Sequence, residues 1–288
     1  MARKILVTGA CSQLGWVVVA LLKQQEDNEV VALSQAELDI LDGELVDATV
    51  ERLRPATIIN CAGFNDVEAA EHRLATKLPV NTRGLCNLAR AAAKFKVYLC
   101  SFSSKYVFNG KNSEPYGEDD DKWPLNQYGN SKHGGEEMVD NLIDNYLIVR
   151  SDLLYGAGGN DWVSRIKKEL GAGRPLAVSN DFFIAPTYIG DLAAAMVALS
   201  TEWAAGIYHY TNDAGNGVSC YEFAQAVAEQ AGLDSTLLQP KPMTEIDFGG
   251  PLNLPERAIL KLDRFEKMFP LLVRPWREAL AAYMAEAS

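Results

Sequence analysis

Short, almost unbroken apolar runs alternate along the chain with segments in which apolar residues return every third or fourth position. The first pattern suits strands covered on both faces, the second helices that bury one stripe. It predicts strands over residues 4–7, 29–33, 57–60, 97–101, 146–150 and 206–211. Helices are predicted over 13–23, about 44–53, 80–95, 127–144, 162–170 and 191–199, and from the N-cap Ser219 to residue 230. Strands alternating with helices imply an α/β fold, a parallel sheet wound with helices on both faces. The polar stretch 109–127, with its acidic run 118–121, reads as a solvated loop.

Composition narrows the class. The chain has 288 residues, 48% of them hydrophobic, with a net charge of −11. So acidic a chain is a poor partner for nucleic acid or an anionic membrane, both of which demand cationic surface. No apolar run approaches the ~20 residues that cross a bilayer. The five cysteines, Cys11, Cys61, Cys86, Cys100 and Cys220, are scattered and form no CxxC pair. With only three histidines besides, a metal site is not expected, and a reducing cytoplasm fits.

The chemistry begins after the first strand. Thr8-Gly9-Ala10-Cys11-Ser12-Gln13-Leu14-Gly15 leads directly into a helix. Gly9 permits a tight turn, helix-start N–H groups can hold a diphosphate, and Gly15 lets helix and strand pack closely. A tight turn without a ligand would look much the same. Past the second strand, Leu33-Ser34-Gln35 offers neither the acid that reads a ribose hydroxyl nor a base for a 2′-phosphate. Small polar groups there tolerate the phosphate better than a carboxylate would, which tips the choice slightly from NADH toward NADPH. Further on, Tyr128 and Lys132 stand one turn apart on one helix face. An ammonium beside a phenol favours the phenolate and draws its pKa down from ~10 toward the working range. Ser104, after the fourth strand, can hold a substrate carbonyl. The three features together, in this order along a Rossmann-type fold, point to a nicotinamide oxidoreductase. Residues 1–155 would form the dinucleotide-binding domain. Residues 156–288 would form most of a smaller substrate lobe, with some segments returning to the first domain.

These residues make the chain resemble an extended short-chain dehydrogenase/reductase, and within that group the dTDP-4-dehydrorhamnose reductase family. The similarity covers almost the whole chain. It runs through Ile5-Leu6-Val7-Thr8-Gly9, Glu37-Leu38-Asp39-Ile40, Ile58-Ile59-Asn60-Cys61-Ala62, Ser103-Ser104-Lys105-Tyr106-Val107-Phe108, Pro124-Leu125-Asn126-Gln127-Tyr128-Gly129 and Gly206-Ile207-Tyr208-His209-Tyr210. The resemblance implies hydride transfer from NADPH or NADH to the 4-keto carbon of a nucleotide-linked deoxysugar. Tyr128 would protonate the alkoxide, Lys132 would lower its pKa and bind the ribose, and Ser104 would orient the ketone. Gly9, Cys11, Ser12, Gln13, Leu14, Gly15, Asp39, Ile40, Cys61, Ala62 and Gly63 would contact the dinucleotide, with Asn81 standing behind them. Lys105, Tyr106, Leu153 and Arg257 would face the substrate.

Four departures from the family pattern stand out. Ser12 replaces a middle glycine, and its hydroxyl is positioned to donate to the diphosphate. Lys105 replaces an acid, which reverses charge beside the substrate. Leu153 replaces an active-site Trp. Leu254-Pro255-Glu256-Arg257-Ala258 lacks the family's Arg and Ser. Phe182-Phe183 reads either as a loop over the site or as plain core, and His209 as a structural histidine. A non-catalytic scaffold similar to the regulatory subunit of methionine adenosyltransferase, or a nucleotide-sugar epimerase, remain as alternatives. A homodimer is compatible with the resemblance.

Overall fold

A computed structural model describes residues 2–72, 75–156, 158 and 161–286. Its centre is a six-stranded, all-parallel sheet. The strands are β1 (Arg3–Thr8), β2 (Asn28–Leu33), β3 (Thr57–Asn60), β4 (Tyr98–Ser104), β5 (Tyr146–Ser151) and a late arrival from residues 206–209. Between them run α1 (Gln13–Lys23), α2 (Gly43–Leu53), α3 (Val67–His72), α4 (Leu85–Phe95) and α5 (Gln127–Leu142).

The apolar strands are apolar because each face has its own core. In β1, Ile5 and Val7 pack with Val18 and Leu22 of α1, whereas Leu6 packs with Val46 and Val50 of α2 and Leu88 of α4. The alternation repeats in β4, where Tyr98 and Cys100 join one core and Leu99 the other, and in β5 with Leu147, Val149 and Ile148. From β1 the chain moves outward to β2, then returns to pair β3 against the other side of β1. That reversal opens a crevice at the carboxyl ends of β1 and β3, the place where such sheets take their ligands.

The second half of the chain divides its loyalty. Short strands β6 (Leu154–Tyr155) and β9 (Thr187–Tyr188) pair in parallel, as do β7 (Leu176–Ser179) and β12 (Leu238–Lys241); β8 (Phe183–Ile184) pairs antiparallel with β11 (Val218–Ser219). Around them α6 (Trp162–Gly171), α8 (Cys220–Gln230) and α10 (Trp276–Glu286) enclose a separate core of Ile166, Phe223, Val227, Trp276 and Leu280. By contrast α7 (Ile189–Thr201) packs on α1, and β10 (Gly206–His209) pairs with β5 as the sheet's edge. A short α9 (Asp263–Met268) buries Phe265 in the α1–α7 core.

The expected elements are present, most of them with shifted ends. Residues 80–95 are not one helix: a π turn over Val80–Gly84 precedes α4. The acidic run 118–121 is not wholly solvated either. Glu118 is buried, taking the His209 N–H at 3.3 Å with Arg264 3.9 Å away.

Candidate active site

At the end of β1 the chain turns on Gly9, whose φ is +63°, a value that suits glycine. A Cβ there would fall 2.4 Å from the Ala62 nitrogen, and one on Gly15 would fall 2.3 Å from the Gly9 carbonyl oxygen. The turn, α1 and the end of β3 are therefore pressed together in a way only these glycines permit. Asn60 fastens the neighbouring strand ends. Its Oδ1 accepts from Thr8 at 2.7 Å and from the Ala62 N–H at 3.1 Å, and its Nδ2 donates to Ser101 on β4.

Ser12 caps α1: its Oγ accepts from the Gly15 N–H at 3.0 Å. The same hydroxyl donates to the Cys61 carbonyl at 3.4 Å. This corrects the expectation that it donates to a diphosphate, since its proton is directed inward. Helix geometry leaves the Gln13 and Leu14 N–H groups without an intrahelical acceptor. With the positive end of the α1 dipole they form the anion seat, so this chain's residues fit a dinucleotide diphosphate.

Sequence reasoning missed a carboxylate at the end of β2. Glu37 folds back so that its Oε2 accepts from the Ser34 N–H at 2.9 Å and Oγ at 2.7 Å, which holds its carboxyl below the usual range. Ser34 is therefore not a neutral post; the signal was the S-x-x-E spacing of a capping box. Asp39 turns its Oδ1 onto the Leu41 N–H. Ile40 is core: it packs against Gly84, and its carbonyl accepts from Asn87.

The proton-transfer groups lie on α5 and at the end of β4. Asn126 caps α5 by accepting from the Gly129 N–H at 2.8 Å, which sets Tyr128 in the first turn and Lys132 one turn later. Gly129 is what lets this turn close on the Lys105–Val107 turn that follows β4, because a Cβ would lie 2.2 Å from the Tyr106 carbonyl oxygen. Gly135 does the same further along, against the Asn81 carbonyl oxygen at 2.3 Å. Both Asn81 amide protons are used, on the Phe64 carbonyl and the Ser131 hydroxyl, and its Oδ1 accepts from the Phe64 N–H. The segment 63–65 is thereby set beside α5, and Gly63 lies close to Lys132 and Asn65.

Ser104, Tyr128 and Lys132 do come together. The Tyr128 hydroxyl reaches Asn65 Oδ1 at 3.4 Å, and the Lys132 Nζ lies 5.7 Å from the Tyr128 ring centre. Tyr106 meets Tyr128 edge-on at 5.7 Å. Burial pushes the Tyr128 phenol up, a hydrogen bond with Ser104 opposing it. Burial also brings the Lys132 ammonium down to about 8, with Glu136 opposing. Desolvation, not the lysine, thus dominates the phenol. At neutral pH it holds its proton, the form a reductase needs.

Lys105 does not present a charge to substrate. It is wholly buried, with Nζ 2.9 Å from Asp152 Oδ1 and 3.0 Å from the Phe183 carbonyl oxygen. Asp152 also accepts from the Leu153 and Ala185 N–H groups. The reversed charge is cancelled by a partner that the sequence reading did not pair with it. Leu153 packs against the core of the second lobe. Arg257 stacks on the Phe183 ring, 3.4 Å from its centre, and donates to the Asn216 carbonyl. Phe183 is therefore where Lys105 and Arg257 meet, from opposite sides of the lobe boundary. His209 is fully buried beside Arg150, and both burial and that guanidinium drive its pKa well down.

The model of the RmlD substrate binding domain family matches residues 3–288. The spore coat polysaccharide biosynthesis protein SpsK of Bacillus subtilis is 34% identical over 99% of this chain and 98% of its own length. A dTDP-4-dehydrorhamnose reductase of Aggregatibacter actinomycetemcomitans is 32% identical over the full length of both. The crystal structure of dTDP-4-dehydrorhamnose reductase from Bacillus anthracis in complex with NADP superposes with a TM-score of 0.90. It is 29% identical, and the match covers 99% of this chain and all of that one. The chain belongs to the RmlD substrate binding domain family.

Proposed function

We propose that the protein is an NAD(P)H-dependent reductase acting on the 4-keto group of a dTDP-linked 6-deoxysugar. One observation carries the reading: a buried, protonated phenol, Tyr128, stands beside Ser104 and the desolvated Lys132 at the carboxyl end of the sheet. The names and cofactor of the similar reductases support the substrate class and the nucleotide. The Gly9–Gly15 turn and the N-terminus of α1 would hold the diphosphate, and Gly63 and Lys132 the nicotinamide end. Bound NAD(P)H supplies the hydride. Ser104 orients the ketone oxygen toward Tyr128, which gives up its proton as negative charge develops there. The Lys132 ammonium then stabilises the phenolate. Arg257, still partly exposed on Phe183, is the cation we assign to the sugar nucleotide's phosphates. Five free thiols and the acidic composition support a cytoplasmic setting, and a homodimer belongs to the same reading.

The test is NADPH and NADH oxidation with dTDP-4-keto-6-deoxy sugars, using the wild type and Tyr128→Phe. Turnover is expected to fall by roughly 100-fold or more in the variant, while calorimetry finds nucleotide affinity nearly unchanged. Retained activity would remove Tyr128 from the chemistry. A wild type that binds nucleotide but reduces no keto sugar would instead favour a scaffold role.

A further inference from the structure

Glu136, so far only the anion that opposes the desolvation of Lys132, occupies an unusual position. One turn beyond Lys132, it is 4% exposed and lies between two cavities. The first, behind Lys132, has a volume of about 10 Å³, room for a single water. It is lined by Asn60, Asn81, Ser101, Ser103, Lys132 and Glu136. The Ser103 hydroxyl on its wall has no partner among the described residues. The second, of about 270 Å³, opens at the amino ends of β5 and β10, opposite the end that carries the glycine turn. Glu118, His133, Asp140, Tyr146 and Arg264 line it together with Glu136.

We propose that Glu136 relays protons from this rear pocket to Lys132, restoring the proton that Tyr128 gives away in each turnover. The proposal rests on the catalytic reading of Tyr128 and Lys132. The proton count closes. Hydride from NAD(P)H reaches the carbonyl carbon, and the Tyr128 proton reaches the carbonyl oxygen, leaving a phenolate. The Lys132 ammonium protonates the phenolate and becomes an amine. The Glu136 carboxylate takes a proton from water in the rear pocket and passes it, through water in the small cavity, to that amine, and so returns to the carboxylate. One solvent proton is consumed per ketone reduced, and no redox partner beyond NAD(P)H is needed.

The geometry favours this side. Tyr128 is 6% exposed, and its open face is where substrate and nicotinamide must sit, so protons from the front would have to await product release. Arg150 Nε and Nη2 hold the two Glu136 oxygens at 2.8 and 2.7 Å. Each oxygen thus spends one lone pair on the guanidinium and keeps another for water. Groups facing Glu136 include Lys132 and Asp140 on its own helix and Arg150 and Tyr146 on β5. Beyond Arg150 come His209 on β10, which accepts from that guanidinium and is uncharged, and the Glu118–Arg264 pair. The negative charge of Glu136 also holds the Lys132 ammonium up against burial.

Stopped-flow kinetics with a dTDP-4-keto-6-deoxy sugar separate the roles. The first proton already resides on Tyr128, so at a pH well below 8, where Lys132 stays an ammonium without the Glu136 charge, Glu136→Gln should leave the single-turnover rate of NADPH oxidation close to wild type. Steady-state turnover should fall about tenfold or more, with an enlarged solvent deuterium isotope effect, and Glu136→Asp should restore part of it. His133→Trp, which narrows the rear pocket while leaving both members of the Glu136–Arg150 pair in the sequence, should slow steady-state turnover in the same way and covers the case in which Glu136→Gln does not fold. Equal loss in single and multiple turnover in both variants, or steady-state rates and isotope effects like the wild type's, would overturn the relay. Tyr128→Phe distinguishes the underlying reading: if it retains the single turnover, the catalytic assignment fails, whatever Glu136 does.

Discussion

Replacing Lys105 by methionine would remove a cation from a pair that water does not reach. The two side chains are 0% and 1% exposed, and among the described residues the ammonium's other neighbours are the Phe183 carbonyl and the rings of Phe182 at 4.7 Å and Tyr106 at 5.7 Å. Methionine keeps nearly the same stem, so the change is chiefly the lost charge, leaving the Asp152 carboxylate buried. Breaking such a pair from one side typically costs about 3–5 kcal/mol. The two N–H groups that still reach Asp152 place Lys105→Met near the lower end. Asp152→Asn should cost at least as much. An amide has one acceptor oxygen for the Leu153 and Ala185 N–H groups, and its NH₂ would face the ammonium. The double variant carries no buried charge and should cost only about 1–3 kcal/mol, most of it the unpaired N–H. The two single costs together would then exceed the double by a coupling of roughly 3 kcal/mol or more. Urea unfolding followed by tryptophan fluorescence measures all three. A loss below about 1 kcal/mol for Lys105→Met, or costs that simply add in the double variant, would refute the account of Lys105 and Asp152 as one buried unit.

The remaining expectations concern the turn and the lysine. Gly9→Ala places a Cβ 2.4 Å from the Ala62 nitrogen at a φ of +63°, so the turn must move; NADPH affinity should fall by about tenfold or more in calorimetry. An affinity like that of the wild type would detach the turn from nucleotide binding. Because Lys132 titrates near 8, kcat/KM should decline as pH rises through that value and the ammonium is lost, and Lys132→Met should be slow with no such break. The sign for stability is opposite. The unfolded chain holds this proton up to ~10.4, so between about 8 and that value it binds more protons than the folded protein, and stability contributed here rises with pH. A pH–rate profile without a break in this range would remove the lysine's role.

What could be read from the sequence follows from how local each cause is. The limits of α1 and β3 are those predicted, because Ser12 caps the helix it precedes and the strand is bounded by its own apolar run. Tyr128 and Lys132 were legible because one helical turn relates them, and Gly9 because its turn is encoded in eight consecutive residues. The two-residue strands β6, β8, β9 and β11 were not, since no period shows in two residues and their partners are distant in sequence. Lys105 was misread for the same reason. Its charge is visible in the chain, but its meaning depends on Asp152, which the fold brings to it from the end of β5. Glu118 reads as one acid among four until β10 delivers the His209 N–H and α9 delivers Arg264.

The same distinction bears on the choice between an enzyme and a scaffold. Nucleotide binding alone accounts for Gly9, Gly15, Asn60 and the capped start of α1, and a regulatory protein could keep all of them. It does not account for the far side of the crevice. There the fold buries a phenol, desolvates an ammonium to about 8 and sets a carboxylate one turn behind it. Burying polar groups this way is costly unless their partners are well made. Yet Ser103 and Ser151 hydroxyls have no partner among the described residues, and beside its contact with Ser104 the Tyr128 hydroxyl makes a long bond at 3.4 Å to Asn65. Apolar side chains of the same size would make a more stable wall. A buried phenol and a desolvated ammonium set one helical turn apart beside the end of β4 are what proton transfer requires, and a scaffold that only binds has no physical reason to retain them.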